Sequence, residues 1–387
     1  MNIDSEFTII GGGVAGLATA IGFQNNAMDF SLFEQADELK GIGAGFGLGA
    51  NAMQALDYLG MREDIEKLGH HLDSYRILDD KGNVLVAPNT KTLSQKYNQQ
   101  NFAIHRADLH LYLLSHVKAQ SLHLGKKAID LSQTEGVISI HFADGTIHHT
   151  KYLIIADGVN SPLRQKLIPA AVPRYAGYTC WRATIDNSVI ALQQGSETWG
   201  KEGRFGMTPL TNKRIYWYAC INATFQNETY KNYTVADLHR HFSRYHDPIP
   251  SILSYTKDVD LIWSDIIDIK PLRHLAYGPI LLLGDAGHAT TPNMGQGACQ
   301  ALEDVAVLMD VLRNKTSVTE AFLSFEKRRL RRTRYITQTS KHIGEVAQWE
   351  NPLLIALRNT ILKNTPQKMS QAKLEKLLSV DFMTITK

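Results

Sequence analysis

A chain of 387 residues exceeds the usual size of one hydrophobic core, so two domains or one domain with a large insertion are expected. Its 44% hydrophobic content is that of a soluble globular protein, and a formal charge of +3 is too small to indicate nucleic acid as the main partner. The three cysteines, Cys180, Cys220 and Cys299, show neither metal-ligand spacing nor a disulfide framework, so no metal site is predicted.

The N-terminal stretch FTIIGGGVAGLATAIGF is hydrophobic enough to suggest a targeting or membrane segment, but it lacks their other features. No Lys or Arg precedes Lys40, whereas a secretory signal begins with a basic region. Its five glycines would be poorly tolerated in a membrane-spanning helix. We therefore expect a cytoplasmic protein without a membrane span.

The first elements in chain order form half of a doubly wound α/β unit. The pattern of residues 6–34 predicts strand, glycine-rich turn, helix and strand. An amphipathic helix is predicted over 51–68, and a strand end followed by a helix over 102–117. Alternating residues around the turn Ala143–Thr146 predict a β-hairpin, whose second strand ends in a buried run at Ile155.

The composition changes over residues 173–271, where aromatic and β-branched residues predict an antiparallel sheet. Residues 279–283 then form a hydrophobic run like the buried strands of the first domain and are predicted to be a further strand of it. The tail from about residue 318 is predicted to be helical. The predicted fold class is α/β: a Rossmann-like domain with a doubly wound parallel sheet, an inserted antiparallel-sheet substrate domain and a helical C-terminal tail. The predicted limits are 1–72, 101–172 and 272–335 for the Rossmann-like domain, 73–100 and 173–271 for the substrate domain, and 336–387 for the C-terminal helices.

The first of three glycine-bearing turns follows the first strand with the pattern G-x-G-x-x-G. Its glycines allow a tight turn, a close approach of the backbone to a pyrophosphate, and close helix–strand packing. The N-terminus of the next helix attracts phosphate, and an acid closing the second strand accepts hydrogen bonds from ribose hydroxyls. The predicted dinucleotide contacts are Gly11, Gly13, Val14, Ala15, Gly16, Glu34 and Gln35. A tight turn without a ligand is the alternative.

The second turn carries Asp157 and Gly158 at the end of a buried strand. Taken alone, the turn is better explained by a simple helix start, with Ser161 as N-cap and Pro162 at the first helical position, and Arg164 is then only a surface partner.

The third turn, GDAGHATTPNMGQGA, separates a buried strand from a helical pattern. An acid at the end of such a strand points into the crevice where doubly wound sheets bind ligands, and glycines permit close approach to a planar group. We expect His288 to be a structural hydrogen-bonding residue rather than a catalytic base. The predicted ligand contacts are Asp285, Pro292, Gly295, Gln296, Gly297 and Ala298.

Together the three turns resemble those of the FAD-dependent aromatic hydroxylases of the p-hydroxybenzoate hydroxylase type, over about residues 7–335. The segments RYAGYTCW and TTPNMGQGACQALED are most similar to the branch that holds urate hydroxylases and zeaxanthin epoxidase. The resemblance implies tightly but non-covalently bound FAD, NAD(P)H as a transient co-substrate, and hydroxylation by O2 through a flavin C4a-hydroperoxide. It places Arg106 at the ribityl–phosphate region of FAD, gives Asp157 a role shared between FAD and NAD(P)H, and makes Asp285 the partner of the ribityl hydroxyls.

The same resemblance implies a small aromatic or N-heteroaromatic substrate between the flavin and the aromatic sheet. Arg204 would then hold an anionic substrate and Tyr216 would position a ring substituent, with Trp217 or Tyr218 on the other strand face. A surface arginine and a core tyrosine are the alternatives. Asn293 replaces the acid of the urate hydroxylase pattern T-T-P-D, which disfavours urate itself.

Other functions stay open at this point. An epoxidase of an apolar polyene or quinone-type substrate is the second hypothesis, and a flavin reductase or halogenase is the third, although the halogenase pattern W-x-W-x-I-P does not occur around Trp181. A flavoprotein that only sequesters a ligand is the fourth. The basic run 327–334 is interpreted as a solvated helix, and either a monomer or a homodimer is expected.

Overall fold

The computed structural model of the chain describes residues 2–41, 45–72, 75–87 and 101–378. In chain order the strands of these residues are β1 (Ser5–Ile10), β2 (Phe30–Phe33), β3 (Gly45–Leu48), β4 (His70–His71), β5 (Tyr75–Asp79), β6 (Val84–Val86), β7 (Phe102–His105), β8 (Leu122–His123), β9 (Ala128–Thr134), β10 (Val137–Phe142), β11 (Ile147–Ile155), β12 (Pro173–Asp186), β13 (Gly195–Gly200), β14 (Gly203–Leu210), β15 (Arg214–Asn222), β16 (Ile262–Ile269), β17 (Ala276–Tyr277) and β18 (Ile280–Leu282).

The α-helices of the same residues pack against the sheets or form the C-terminal region. They are α1 (Val14–Asn25), α2 (Ala50–Tyr58), α3 (Arg62–Leu68), α4 (Arg106–Ser115), α5 (Pro162–Leu167), α6 (Glu228–Lys231), α7 (Val235–His241), α8 (Ile249–Ser254), α9 (Asp285–His288), α10 (Gly297–Asn314), α11 (Val318–Ala347), α12 (Pro352–Asn364) and α13 (Gln367–Leu378).

The first sheet has a parallel core in which β18, β11, β1, β2 and β8 are neighbours in that order. The run Leu153–Ile155 in β11 is fully buried, as expected for a central parallel strand. The predicted hairpin is present, because β10 and β11 pair antiparallel around the turn at residues 143–146. This sheet brings the C-terminal ends of β1, β11 and β18 to one edge.

The second sheet is antiparallel in the order β16, β12, β15, β14, β13, except that β13 pairs parallel with β5, which continues to β6. One face of this sheet packs on α7 and α8 through a core that contains Trp181, Phe205, Trp217 and Phe242. The other face carries polar and aromatic side chains, so the two faces differ in chemical character.

The predicted fold class is confirmed: the chain is α/β, with a Rossmann-like parallel sheet, an antiparallel sheet and a helical C-terminal region. The single helix predicted over 51–68 is wrong in one respect. It divides into α2 and α3, because Gly60 adopts a left-handed conformation (φ +74°) that ends α2. The domain limits stay predictions, and residues 88–100 and 379–387 lie outside the described residues. Among the described residues, none of the helices combines the length and hydrophobicity that crossing a bilayer requires.

Candidate active site

Three turns lie side by side at the edge where the parallel strands end. β1 leads into the Gly11–Gly16 turn, β11 into Asp157, and β18 into Asp285. Because β1 pairs with β11 and β11 with β18, all three turns border one crevice.

The first turn is shaped by glycines that other residues could not replace. A Cβ at Gly16 would lie 1.8 Å from the carbonyl oxygen of Gly11, and one at Gly11, where φ is +110°, would lie 2.4 Å from the oxygen of Ala156. Gly13 differs, since a Cβ there would have no neighbour within 4 Å among the described residues. The space above Gly13, at the N-terminus of α1, is therefore open to a ligand.

The predicted acid beside this turn also stabilises the turn itself. Glu34 accepts hydrogen bonds from the backbone N–H groups of Gly12 at 2.6 Å and Ala36 at 2.9 Å. Next to it Gln35 is exposed, while Val14 is half-buried and Ala15 is buried. A ribose would have to share Glu34 with the loop.

The second turn contains the predicted helix start. The hydroxyl of Ser161 accepts a hydrogen bond from the backbone N–H of Arg164 at 2.9 Å, and Pro162 is the first helical residue. The cap supplies a partner to one of the N–H groups that the first turn of a helix leaves without an acceptor. Capping thus accounts for the serine and the proline, but not for Asp157.

The expectation that Arg164 is a surface partner is wrong, because its side chain is fully buried. It donates hydrogen bonds to the carbonyl oxygens of Ala171 at 2.9 Å, Val159 at 2.7 Å and Ala286 at 3.3 Å. Arg164 therefore ties the second turn to the third.

Asp157 is the exception in this well-bonded region. Both oxygens of its carboxylate are out of solvent and have no hydrogen-bond partner among the described residues. Burial raises the pKa of Asp157 to about 6. A buried acid without a partner destabilises the protein, so its presence indicates a ligand that would supply the missing donors.

The third turn opens to the crevice at a few points only. Between residues 281 and 289 Asp285 is the one exposed residue. Arg106, at the start of α4, is also exposed. Desolvation by the surrounding protein raises the pKa of Asp285, and the positive charge of Arg106 partly offsets this effect. Further along, Pro292 and Gly295 are exposed. A Cβ at Gly295 (φ +62°) or at Gly297 would have no atom of the described part of the chain within 4 Å.

The side chain of Gln296 turns away from this opening. It is 3% exposed, and its Oε1 accepts from Nδ2 of Asn51 and from Nε2 of Gln300, both at 2.9 Å. Only the backbone of Gln296, together with the free N–H groups of the first turn of α10 at Gly297 and Ala298, can therefore face a planar ligand.

A buried cluster of charges lies beneath the third turn. Asp304 accepts from the N–H of Gly284 at 2.9 Å, from Nε2 of His288 at 2.6 Å and from Nε of Arg329 at 2.7 Å. Glu303 accepts from Arg329 and from Asn51, both at 2.5 Å. His288 is thus the structural hydrogen-bonding residue that was expected, and the cluster links the turn to α2, α10 and α11.

This cluster corrects the interpretation of the basic run 327–334 as a solvated helix. Arg329 is fully buried, and Arg328 and Arg332 form ion pairs with Asp310 and Glu303. The three arginines follow the three- and four-residue spacing of one helix face. The sequence carried a signal for this face in the pair Glu303–Asp304, which was quoted only as part of a family motif.

The polar face of the second sheet forms the opposite wall. The register places Tyr218 opposite Gly206, and Tyr216 opposite Thr208. A Cβ at Gly206 would lie 2.1 Å from the Tyr218 ring, so this ring lies directly over the glycine. Next along the sheet, a Cβ at Gly195 would lie 2.9 Å from the ring of Tyr75, whose hydroxyl is 3.3 Å from that of Tyr218.

One detail of the sequence prediction is wrong on this wall. Tyr218 shares the face of Tyr216, because residues two apart in a strand point the same way, and only Trp217 lies on the other face. Tyr216 is 9% exposed and lies against β3, since a Cβ at Gly45 would be 2.8 Å from it. Tyr216 also packs in a small apolar cluster with Ala103 of β7 and Leu210 of β14, so the alternative of a core tyrosine stays open beside that of a substrate contact.

Arg204 is not the surface arginine of the alternative interpretation. It is 2% exposed, and its guanidinium donates to Oε1 of Gln348 at 2.8 Å and to Oε1 of Glu197 at 3.1 Å. Its third nitrogen, Nη2, is buried without a partner among the described residues, and the ring of Tyr178 lies 5.1 Å from the guanidinium carbon. No sequence motif marks Glu197 or Gln348, whereas Tyr178 lies in the family segment RYAGYTCW, which by itself does not show its contact with Arg204.

Asn293 has a role that an acid could not fill. Its Oδ1 accepts from the hydroxyl of Tyr178 at 3.0 Å, and its Nδ2 donates to the backbone oxygen of Ser340 and to Oγ1 of Thr291, both at 2.8 Å. A carboxylate here would face the Ser340 carbonyl without a hydrogen to donate. The amide therefore joins the third turn, α11 and the tyrosine wall.

A family model described as "FAD binding domain" matches residues 4–340 of the chain. The chain belongs to this FAD-binding family. It is 32% identical over 356 residues to the aurachin C monooxygenase/isomerase of Stigmatella aurantiaca, covering 92% of this chain and 93% of the relative. It is 29% identical to the 2-heptyl-3-hydroxy-4(1H)-quinolone synthase of Pseudomonas aeruginosa, covering 92% and 94%.

Among solved structures, Klebsiella pneumoniae HpxO complexed with FAD and uric acid matches with a TM-score of 0.88 at 25% identity, covering 96% of each chain. The predicted resemblance to the FAD-dependent aromatic hydroxylases is confirmed, and with it the assignment as an FAD-dependent monooxygenase of a family that typically uses NAD(P)H and O2.

The residues of the crevice fit FAD. Open space lies above Gly13 where a pyrophosphate would approach the N-terminus of α1, and above Gly295 and Gly297 where a flat ring would approach α10. The unpartnered carboxylate of Asp157 and the exposed Asp285 provide acceptors for hydroxyl groups between these two places.

Two glycine substitutions separate cofactor binding from folding. Gly13→Ala should leave the unfolding free energy of the FAD-free protein within about 1 kcal/mol of wild type but weaken FAD binding at least about tenfold, because the methyl group fills ligand space only. Gly16→Ala should instead destabilise the FAD-free protein by about 1–3 kcal/mol or more through its clash with Gly11. Urea unfolding and titration of FAD fluorescence measure both quantities; equal effects of the two variants on FAD affinity would contradict this assignment.

The buried carboxylate of Asp157 predicts a pH dependence. Burial raises its pKa from 3.8 to about 6, so the folded state holds the proton more tightly than the unfolded state does. The stability that comes from this protonated side chain is fully present below about pH 4 and is lost as the pH rises through 6. Asp157→Asn should therefore unfold with nearly wild-type free energy at pH 4 and be more stable than wild type by about 3 kcal/mol at pH 8, both without FAD. Urea unfolding at the two pH values tests this, and a difference that does not change with pH would refute it.

The charge cluster should act on the cofactor as well as on stability. Asp304→Asn breaks a buried ion pair, with an expected cost of about 3–5 kcal/mol, and should also weaken FAD binding, because the single oxygen of the amide cannot accept both from Arg329 and from Gly284 and His288. Asp310→Asn is the matched control, since its pair with Arg328 joins the same two helices away from the turn. Measured by urea unfolding and FAD titration, a loss of FAD affinity that is as large in the control would show that the cluster acts through helix packing alone.

Proposed function

We propose that the protein hydroxylates a small N-heteroaromatic ring held between FAD and the tyrosine wall formed by Tyr75, Tyr178, Tyr216 and Tyr218. The observation that carries the proposal is this wall: flat rings lying over glycines, on the sheet face opposite the three cofactor turns. The names of two relatives support it, because a 4(1H)-quinolone and uric acid are nitrogen heterocycles.

Bound FAD supplies the redox chemistry, namely reduction by NAD(P)H and transfer of one oxygen atom from O2 to the substrate. The chain's own residues position it: the N-terminus of α1 and Gly13 receive the pyrophosphate, Glu34 receives the ribose, Arg106 and Asp285 receive the ribityl region, and the first turn of α10 receives the ring. Asp157 is proposed to serve FAD and NAD(P)H in turn.

The tyrosines bind and orient the substrate in their protonated form. Burial raises the pKa of Tyr75, Tyr216 and Tyr218 well above its usual value, and that of Tyr178 to about 12. They therefore act as hydrogen-bond donors and apolar surfaces near pH 7, and none of them is a base at that pH. Arg182, half-buried on the same face, lies beside Tyr216 and donates to Oγ of Ser264 at 2.8 Å, which orients this part of the wall.

Two coarser expectations stay with this proposal. The three cysteines are free and buried, as in proteins of a reducing compartment, so a cytoplasmic location is proposed. A monomer and a homodimer are both compatible with the described surface.

The test is to purify the protein with its flavin and to measure NAD(P)H oxidation with a panel of N-heteroaromatic, carbocyclic aromatic and polyene compounds. We expect several N-heteroaromatic compounds to accelerate oxidation and to gain one oxygen atom, as detected by mass spectrometry. Tyr216→Phe should lower the stimulated rate about tenfold or more while leaving the flavin content unchanged. Acceleration only by polyenes would favour an epoxidase, and a flavoprotein that no compound stimulates would refute the monooxygenase proposal.

A further inference from the structure

Glu197 lies beside Arg204 on the face of the second sheet that carries the tyrosine wall. Among the described residues, it is the only acid within hydrogen-bonding distance of Arg204. The two side chains are 2% and 7% exposed, and Nη1 of Arg204 lies 3.1 Å from Oε1 of Glu197. The register explains their contact, because β13 places Glu197 opposite Gly206 of β14, two residues from Arg204 on the same face. Gly206 has no side chain to separate them.

The remainder of the guanidinium is largely occupied as well. Its Nε donates to Gln348 at 2.8 Å, and Gln348 is fixed in turn by a hydrogen bond of 3.0 Å to Asn222. Tyr178 covers the guanidinium at 5.1 Å. One donor, Nη2, stays buried and without a partner in the described part of the chain.

A guanidinium beside a buried carboxylate differs from a free cation in what it recognises. Its positive charge is matched by Glu197, so a second carboxylate placed against it would be repelled by the first at short range. The N–H of Nη2 still needs an acceptor, and an uncharged carbonyl oxygen can provide one without adding charge.

Two further guanidinium groups lie near Arg204, and each has partners of its own. Arg358 of α12 donates to the carbonyl oxygens of Ala347 at 3.1 Å and Trp199 at 3.4 Å. Arg182 belongs to β12, where it lies opposite Tyr218 rather than beside Arg204, and its guanidinium donates to Ser264 on β16. Two strands separate Arg182 of β12 from Glu197 of β13. Tyr218 belongs to the first of them, β15, and its ring covers Gly206 of the second, β14.

We propose that Glu197 is a specificity-determining residue, which cancels the charge of Arg204 and so restricts the site to substrates that offer an uncharged ring carbonyl to Nη2. This inference rests on the proposed function. It also replaces the expectation from the sequence that Arg204 holds an anionic substrate.

The experiment compares two probes of similar size on the FAD-loaded enzyme: 4(1H)-quinolone, which offers a ring carbonyl, and quinoline-4-carboxylate, which is an anion. Binding is measured from the change in the flavin absorption spectrum, without turnover. Wild type should bind the quinolone more tightly. Glu197→Gln, which keeps the shape and removes the negative charge, should shift the ratio of the two dissociation constants at least about tenfold towards the carboxylate.

Two variants guard against effects of folding alone. Glu197→Asp keeps the charge and should keep the preference for the quinolone. Asp268→Asn breaks the Arg174–Asp268 pair of the same sheet and should leave the ratio unchanged. A ratio that stays at its wild-type value in Glu197→Gln, or a wild-type preference for the carboxylate, overturns the inference while leaving the monooxygenase proposal intact. If neither probe perturbs the flavin and no N-heteroaromatic compound accelerates NAD(P)H oxidation, both fail.

Discussion

Two buried arginines hold the cofactor crevice in its shape. Arg164 joins the second turn to the third through the carbonyl oxygen of Ala286, and Arg329 joins Asp304, and with it Gly284 and His288, to the long helix α11. Buried charges are tolerated only when each has partners, and here each partner is part of a turn or of the helix that supports it. The turns therefore keep their relation to one another through side chains that lie behind them.

The shape of the opposite wall depends on glycines rather than on buried arginines. These glycines lie in the sheet at positions 195 and 206, and the rings of Tyr75 and Tyr218 lie flat over them. Asn293 connects this wall to the cofactor side, because its amide bonds Tyr178 and the backbone of α11 at once. Substrate and cofactor walls are thereby joined by neutral hydrogen bonds, while Asp304 and Arg329 form their ion pair behind the third turn.

The sequence was sufficient to predict the fold class, the three turns and their order along one sheet edge. Strand-ending glycines and acids are local signals, and the parallel arrangement then brings them together without further information. The antiparallel sheet and its approximate extent were also recognisable from its aromatic, β-branched composition.

What the sequence could not show was the direction of each polar side chain. Arg164 is expected at the surface, because a single arginine is usually exposed, and the run that contains Arg329 is predicted to spread its charges around a solvated helix, yet both side chains are fully buried. The partners of Arg204 carry no local sequence signal either. Glu303 and Asp304 are 26 and 25 residues from Arg329 in sequence, and Gln348 is 144 residues from Arg204. Pairing across such separations depends on how helices and strands cross, which local patterns do not specify.

The flat rings over Gly195 and Gly206 have a consequence for how related enzymes diverge. Where a ring covers a side chain, removing it exposes another packed residue; where it covers a glycine, removing it leaves a recess that reaches the backbone of the sheet. A change from tyrosine to a small residue at position 75 or 218 would thus deepen the chamber by one ring without disturbing the sheet beneath. Each such substitution would enlarge the space between the tyrosine wall and the cofactor crevice by the volume of one ring.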